Sequence, residues 1–127
     1  MKILKGLLYT KDHEWIKVEG DNAYIGITDF AQNSLGDIVF VDLPEEDDEF
    51  DREEEYGVIE SVKAASDSFM PIGGTVLEVN QDVLDSPEAI NADPYGNWFM
   101  LIKISDKSQL DDLMSPEEYE DFCEKER

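Results

Sequence analysis

One amine stands apart in this sequence. Lys63 is the only basic residue in the fifty positions between Arg52 and Lys103, and it lies in Gly57-Val-Ile-Glu-Ser-Val-Lys-Ala-Ala-Ser-Asp67. A lysine in a short turn, followed by small Ala64 and Ala65, presents its amine with little steric cover. With an ordinary pKa of about 10.4 that amine is protonated, so acylating it takes an activated donor and an enzyme. A solvated turn lysine gives the same residue pattern, and spacing alone favours that plainer reading. Other chemistry-bearing residues are sparse. His13, in Asp12-His-Glu-Trp15, is the single histidine and reads as a ring hydrogen-bonded at a strand start. It excludes a multi-histidine metal site and leaves no second base for a nucleophile. There is no glycine-rich phosphate loop, no H-E-x-x-H and no G-x-S-x-G. Cys123 has no cysteine to pair with, and its acidic neighbours disfavour a thiolate, so it reads as an inert thiol on the apolar face of a helix. Independent catalysis is not expected.

The elements that must position these residues are mostly short strands. Trp15–Val18 and Ala23–Ile27 flank the turn residues Gly20-Asp-Asn22, a hairpin pattern. Thr28 caps a short helix over Asp29–Ser34, closed by Leu35-Gly36. Ile38–Val41 is a continuous apolar strand before Pro44. Tyr56–Val62 and Ser68–Met70 flank a small-residue segment and predict a second hairpin over about 56–70. Thr75–Val79 and Trp98–Ile104 complete the strands, with Ser86-Pro-Glu88 read as the cap of a one- or two-turn helix reaching Asn91. Leu110 and Leu113 suit one side of a helical turn over Ser108–Leu113. The best-signalled element is a helix over about 116–126. Ser115 and Glu118 form an S-x-x-E capping box, Pro116 opens the first turn, and Met114 and Tyr119 stand at staple positions. Tyr119, Phe122 and Cys123 form its apolar stripe. The fold class expected is mainly β, a single antiparallel sandwich or flattened barrel over 1–127 with short peripheral helices and a C-terminal helix.

Charge narrows the partners. The 127 residues hold 10 Lys+Arg against 32 Asp+Glu, a formal net charge of −22. Such a surface is repelled by nucleic-acid phosphates and by anionic membranes. No apolar run approaches the ~20 residues of a membrane span. A 41% hydrophobic content is nonetheless enough for a core. The acids are uneven: Glu45–Glu55 holds nine in eleven positions and Asp111–Glu126 eight more, together 17 of the 32. Neither run has the spacing of a calcium loop. The first reads as a charged surface excursion between strands. The N-terminal segment has neither a long apolar stretch nor a cleavage pattern, so a cytoplasmic location is expected.

The stretch around Lys63 resembles the lipoylation site of the glycine cleavage system H protein family, close to G-x-V-E-S-V-K-A-x-S-D followed by P, G, V, E and N. Here the later positions are Pro71, Gly74, Val76, Glu78 and Asn80. Tyr9-Thr-Lys-Asp-His-Glu-Trp15, Gly26-Ile-Thr-Asp-Phe-Ala-Gln32, Leu35–Pro44, Asn91-Ala-Asp-Pro-Tyr-Gly96 and Ser115-Pro-Glu-Glu-Tyr119 are similar to family segments as well. The likeness runs in order from about Leu8 to Phe122. Three departures are visible: Asp12 in place of a small hydroxyl residue, Gly73-Gly74 for a Ser-Gly pair, and Asn97 where a second glycine is usual.

The resemblance implies a lipoyl-domain-like barrel-sandwich hybrid and a carrier with no turnover of its own. Lipoic acid would be carried covalently on Lys63, one per chain. The partners implied are the pyridoxal-phosphate-dependent glycine decarboxylase (P protein), the aminomethyltransferase (T protein), dihydrolipoyl dehydrogenase (L protein) and a lipoylating enzyme that recognises Glu60. Glu14 and Asp67 correspond to groups that meet the amine of the loaded arm. A monomer is the default. Biotin carriers place the lysine between methionines, and lipoyl domains of 2-oxoacid dehydrogenases usually have Asp where Val62 stands. Two alternatives remain open at this point: a relay donating lipoyl groups to other lipoyl domains, and an unmodified acidic interaction protein.

Overall fold

The computed structural model describes residues 1–126. Its strands form two antiparallel sheets over a shared apolar core. The chain opens with β1 (Leu8–Tyr9), β2 (Glu14–Glu19) and β3 (Asn22–Ile27), then α1 (Asp29–Leu35) and β4 (Ile38–Asp42). It continues through β5 (Glu49–Phe50), β6 (Glu55–Ser61), β7 (Ala65–Phe69) and β8 (Gly74–Val79). Two short helices, α2 (Gln81–Asp85) and α3 (Ala89–Ala92), precede β9 (Met100–Ile104), a 3-10 turn over Lys107–Asp112 and α4 (Pro116–Lys125). The larger sheet runs β1-β2-β3-β9-β8-β5 and the smaller β4-β6-β7. The sheets do not close into one barrel, so the architecture is the sandwich or flattened barrel expected. Among the described residues, no helix is long and apolar enough to cross a membrane.

Inward positions of both sheets supply most of the main core, with Ile16, Ile25, Ile38, Ile59, Val76 and Ile102 buried, and Ile72 and Phe99 join them from the segments just before β8 and β9. A second cluster of Leu7, Tyr9, Trp15, Tyr119 and Cys123 lies under α4. There the Tyr9 and Tyr119 rings stack with centroids 4.5 Å apart. The α4 signals read from the sequence are present atom for atom. Ser115 Oγ accepts from the Glu118 N–H at 3.2 Å, and Glu118 Oε1 accepts from the Ser115 N–H at 2.9 Å. The helix ends at Lys125, with Glu126 as its C-cap.

Several elements depart from expectation. In β4 only Ile38 and Val41 are buried. A register shift between Ile38 and Phe40 turns both Val39 and Phe40 outward, so the apolar run is not a wholly buried strand. The acidic segment 45–55 is laced to the sheet rather than looping away from it. It contains β5, paired with β8, and its backbone bonds to Val76 and Met70. Ser86 closes α2 instead of opening α3, because its N–H donates to the Asp82 carbonyl. The second strand of the later hairpin starts at Ala65, so its ladder reaches almost to Lys63. The last long strand begins at Met100, two residues beyond Trp98.

Candidate functional site

The β6–β7 ladder ends at the Glu60–Ala65 pair, and a backbone bond from Ser61 to Ala64 leaves Val62 and Lys63 as the two-residue tip. Two-residue tips usually adopt left-handed backbone and so favour Asn-Gly. Neither tip residue has positive φ here. Ser61 makes that possible: its Oγ accepts from the Ala64 N–H at 3.1 Å and the Lys63 N–H at 3.3 Å, while its own N–H donates to the Ala64 carbonyl at 2.8 Å. A hydroxyl thus replaces a backbone carbonyl as the turn acceptor, and a long side chain fits at the tip without strain. The Val62 N–H donates to the Asp37 carbonyl, tying the tip to the segment after α1.

That segment is itself pinned. The Asn91 side chain accepts from the Ile38 N–H at 2.9 Å and donates to the Gly36 carbonyl at 2.8 Å and to Gln32 Oε1 at 3.0 Å. Gly36, at φ +79° and ψ −156°, occupies backbone space open essentially to glycine. A Cβ there would also lie 3.3 Å from Lys63 Cε. The Lys63 side chain therefore passes over the C-terminal end of α1. It is exposed and forms no ion pair among the described residues. Glu60, opposite Phe40 and Ala65 in the ladder, is exposed on the outer face.

Behind the hairpin lies a small cavity of about 40 Å³ lined by residues that include Asp12, Glu14, Ala31, Leu35, Ser66 and Asp67. Ser66 lies three residues from Lys63, about 10 Å along the strand. Glu14 is buried, only 3% exposed. Its Oε2 accepts from the Tyr56 hydroxyl at 2.9 Å, whereas Oε1 is buried with no hydrogen-bond partner. Burial pushes this carboxyl well above the usual range, with Asp12 adding to the rise and the Tyr56 bond opposing it. The same burial and the neighbouring carboxylate push the Tyr56 hydroxyl up. Asp67 borders the cavity from β7 but pairs with Val58, on the opposite face of the strand from Ser66 and Ile59. Glu14 and Asp67 thus meet at one cavity, Glu14 in its wall and Asp67 at its rim.

His13 is satisfied, as its sequence context suggested. Its Nδ1 lies 2.7 Å from the Tyr119 hydroxyl and its Nε2 3.0 Å from Glu126, with the ring stacked on Phe30. Cys123 is buried on the inward face of α4. Ser61, Asn91 and Tyr56 are the residues sequence reasoning did not single out. Ser61 and Asn91 lay inside segments already similar to the family, which was the available signal. Tyr56 gave none beyond being an aromatic at a strand start.

The family model described as glycine cleavage H-protein matches residues 7–126. The chain belongs to that family. It is 58% identical over 124 residues to the glycine cleavage system H protein of Clostridium botulinum, covering 98% of this chain and 95% of that one. A Thermoanaerobacter relative of the same name is 57% identical over 126 residues, with 99% and 100% covered. Among solved structures, a glycine cleavage system H protein from Mycobacterium marinum superposes with a TM-score of 0.82 at 36% identity, covering 92% of this chain and 95% of that one. The chain is accordingly a lipoyl-carrying shuttle of the glycine cleavage system, a carrier component and not itself a catalyst, and it works with the other components of that system.

Proposed function

We propose that Lys63 is the lipoyl attachment point, one group per chain in amide linkage, and that the β6–β7 hairpin presents it to P, T and L proteins in turn. The observation that carries this is the placement of Lys63 at the exposed tip of a turn pinned by Ser61, in a chain of this family. When bound, the lipoyl group supplies the disulfide–dithiol chemistry that takes an aminomethyl group from P protein, yields it to T protein and is reoxidised by L protein. The remaining work belongs to the chain. Ser61 and the Asp37 carbonyl fix the tip, so attached cargo stays at high local concentration for each partner it docks with. Glu60, exposed on the outer face near the tip, is the recognition residue for the lipoylating enzyme. Glu14 and Asp67 receive the arm's cationic amine: a buried, unpartnered carboxylate oxygen at a small cavity suits an ammonium donor. The chain acts as one carrier domain and as a cytoplasmic monomer; of the span 1–127, Arg127 lies outside the described residues.

Intact-mass measurement of protein produced with lipoate supply tests this. A lipoyl-sized increment is expected in the wild type and none in Lys63→Arg. An unmodified wild type, under conditions where another lipoyl domain is modified, would overturn the reading.

A further inference from the structure

We propose that Tyr56 is a positioning residue for the arm site: its hydroxyl engages Glu14 Oε2 and leaves Oε1 as the one carboxylate oxygen presented to the cavity. The proposal rests on the carrier reading above, with Glu14 as the acceptor for the arm's amine. Its support is geometric. The β6–β7 register shifts between Glu55 and Gly57, so Tyr56 is the extra residue of a bulge. Bulges re-aim side chains, and this one turns the tyrosine inward, where it is 6% exposed. Buried Ser68, across the ladder from Gly57, opposes the rise of the Tyr56 hydroxyl and so keeps it a better donor. The hydroxyl donates to Glu14 Oε2, so that oxygen is occupied.

The consequence concerns where a proton resides. Asp12 approaches Glu14 from the β1–β2 connection, Tyr56 from β6, and Asp67 stands at the rim on β7. Ile27 of β3 and Ala31 and Leu35 of α1 contribute only apolar surface, and the His13 ring is taken up by Tyr119 and Glu126. No lysine or arginine lines the cavity among the described residues. Burial and Asp12 favour the neutral carboxyl, and only the Tyr56 hydroxyl favours the carboxylate. An entering ammonium is best held by the carboxylate, so its uptake favours the ionised form of Glu14. Retention of the amine then weakens as pH falls through the Glu14 titration. Removing the Tyr56 hydroxyl raises the pH at which that happens.

The test uses the protein in two forms. In unlipoylated protein carrying ¹³C-labelled glutamate carboxyls, the Glu14 resonance is assigned by its absence in Glu14→Gln. Its titration midpoint is expected to rise in Tyr56→Phe by roughly one pH unit, about tenfold in proton affinity. In lipoylated, aminomethyl-loaded protein, the pH profile of ammonia release is expected to move the same way, with the extent of lipoylation unchanged. Identical Glu14 midpoints in the two proteins would overturn the proposal, as would an unmoved release profile. Should Tyr56→Phe not fold, Ser68→Ala carries the test with a smaller shift of the same sign, and no shift there overturns it too. Failure of the carrier reading looks different: no lipoyl increment on Lys63, with the Glu14 titration unaffected.

Discussion

Glu14 sets function against stability at a single carboxyl. Its folded-state value is raised, so between the unfolded carboxylate value and the folded one the native chain holds a proton that the unfolded chain has released. Native stability therefore falls as pH rises through that window, and the loss is absent below the unfolded value. A Glu14→Gln variant has no such proton. Its stability relative to wild type should grow with pH above the ordinary carboxylate range, by at most about 1.4 kcal/mol per unit. Urea unfolding at pH 5, 6, 7 and 8 checks this; parallel curves for the two proteins would refute it. At this scale the sequence was unevenly informative. The isolation of Lys63 is visible in composition alone, and its motif is local. Glu14 was reachable only through resemblance, because its hydrogen-bond partner, Tyr56, is 42 residues away. Tyr56 itself was illegible, since an unpaired bulge residue has no signature in residue type.

Elements with local chemistry were legible, and those defined by distant partners were not. Thr28 and Gly36 bound α1, and Ser115 with Glu118 opens α4, each through hydrogen bonds within a few residues. By contrast β1 and β5 are two-residue strands that exist only because β2 and β8 offer them a ladder. β5 was further hidden inside an acidic run, where charge suggests solvent and says nothing of backbone pairing. Strand β4 reads as buried by hydropathy, yet its bulge sends Val39 and Phe40 outward. Ser115→Ala removes the hydroxyl half of the α4 capping box and is expected to cost about 1 kcal/mol of stability. The Glu118 half also depends on pH. The Ser115 N–H and hydroxyl hold that carboxyl below its ordinary value, so its contribution is present above that value and lost as pH falls through the lowered one. Denaturant midpoints at neutral pH give the first number; an unchanged midpoint would mean that packing alone fixes this end.

At the scale of the whole molecule, the densest part of the −22 charge lies at a distance from the amine. The densest run ends at Glu55, at the opposite end of β6 from the tip, a strand length of about 20 Å. Acids there leave the neighbourhood of Lys63 accessible while supplying a field that attracts basic docking surfaces. Association with partner enzymes, measured by stopped-flow at increasing salt, should slow as the Debye length shortens. Rates independent of salt would leave the acids as a solubility device.

One contact also has a place in time. The Tyr119 hydroxyl on α4 meets both His13, beside Glu14, and Thr28, the N-cap of α1, at 2.7 Å each. It thereby ties together the segments that carry one wall of the cavity and the helix above it. In synthesis α4 follows every strand, whereas the hairpin bearing Lys63 and its Ser61 clasp is complete by Phe69. The residues that build the lysine turn are thus all synthesised before α4, whose Tyr119 reaches back 106 residues to His13 and 91 to Thr28. The acceptor turn is local chain, and the last strap of its shelter is the latest to be made.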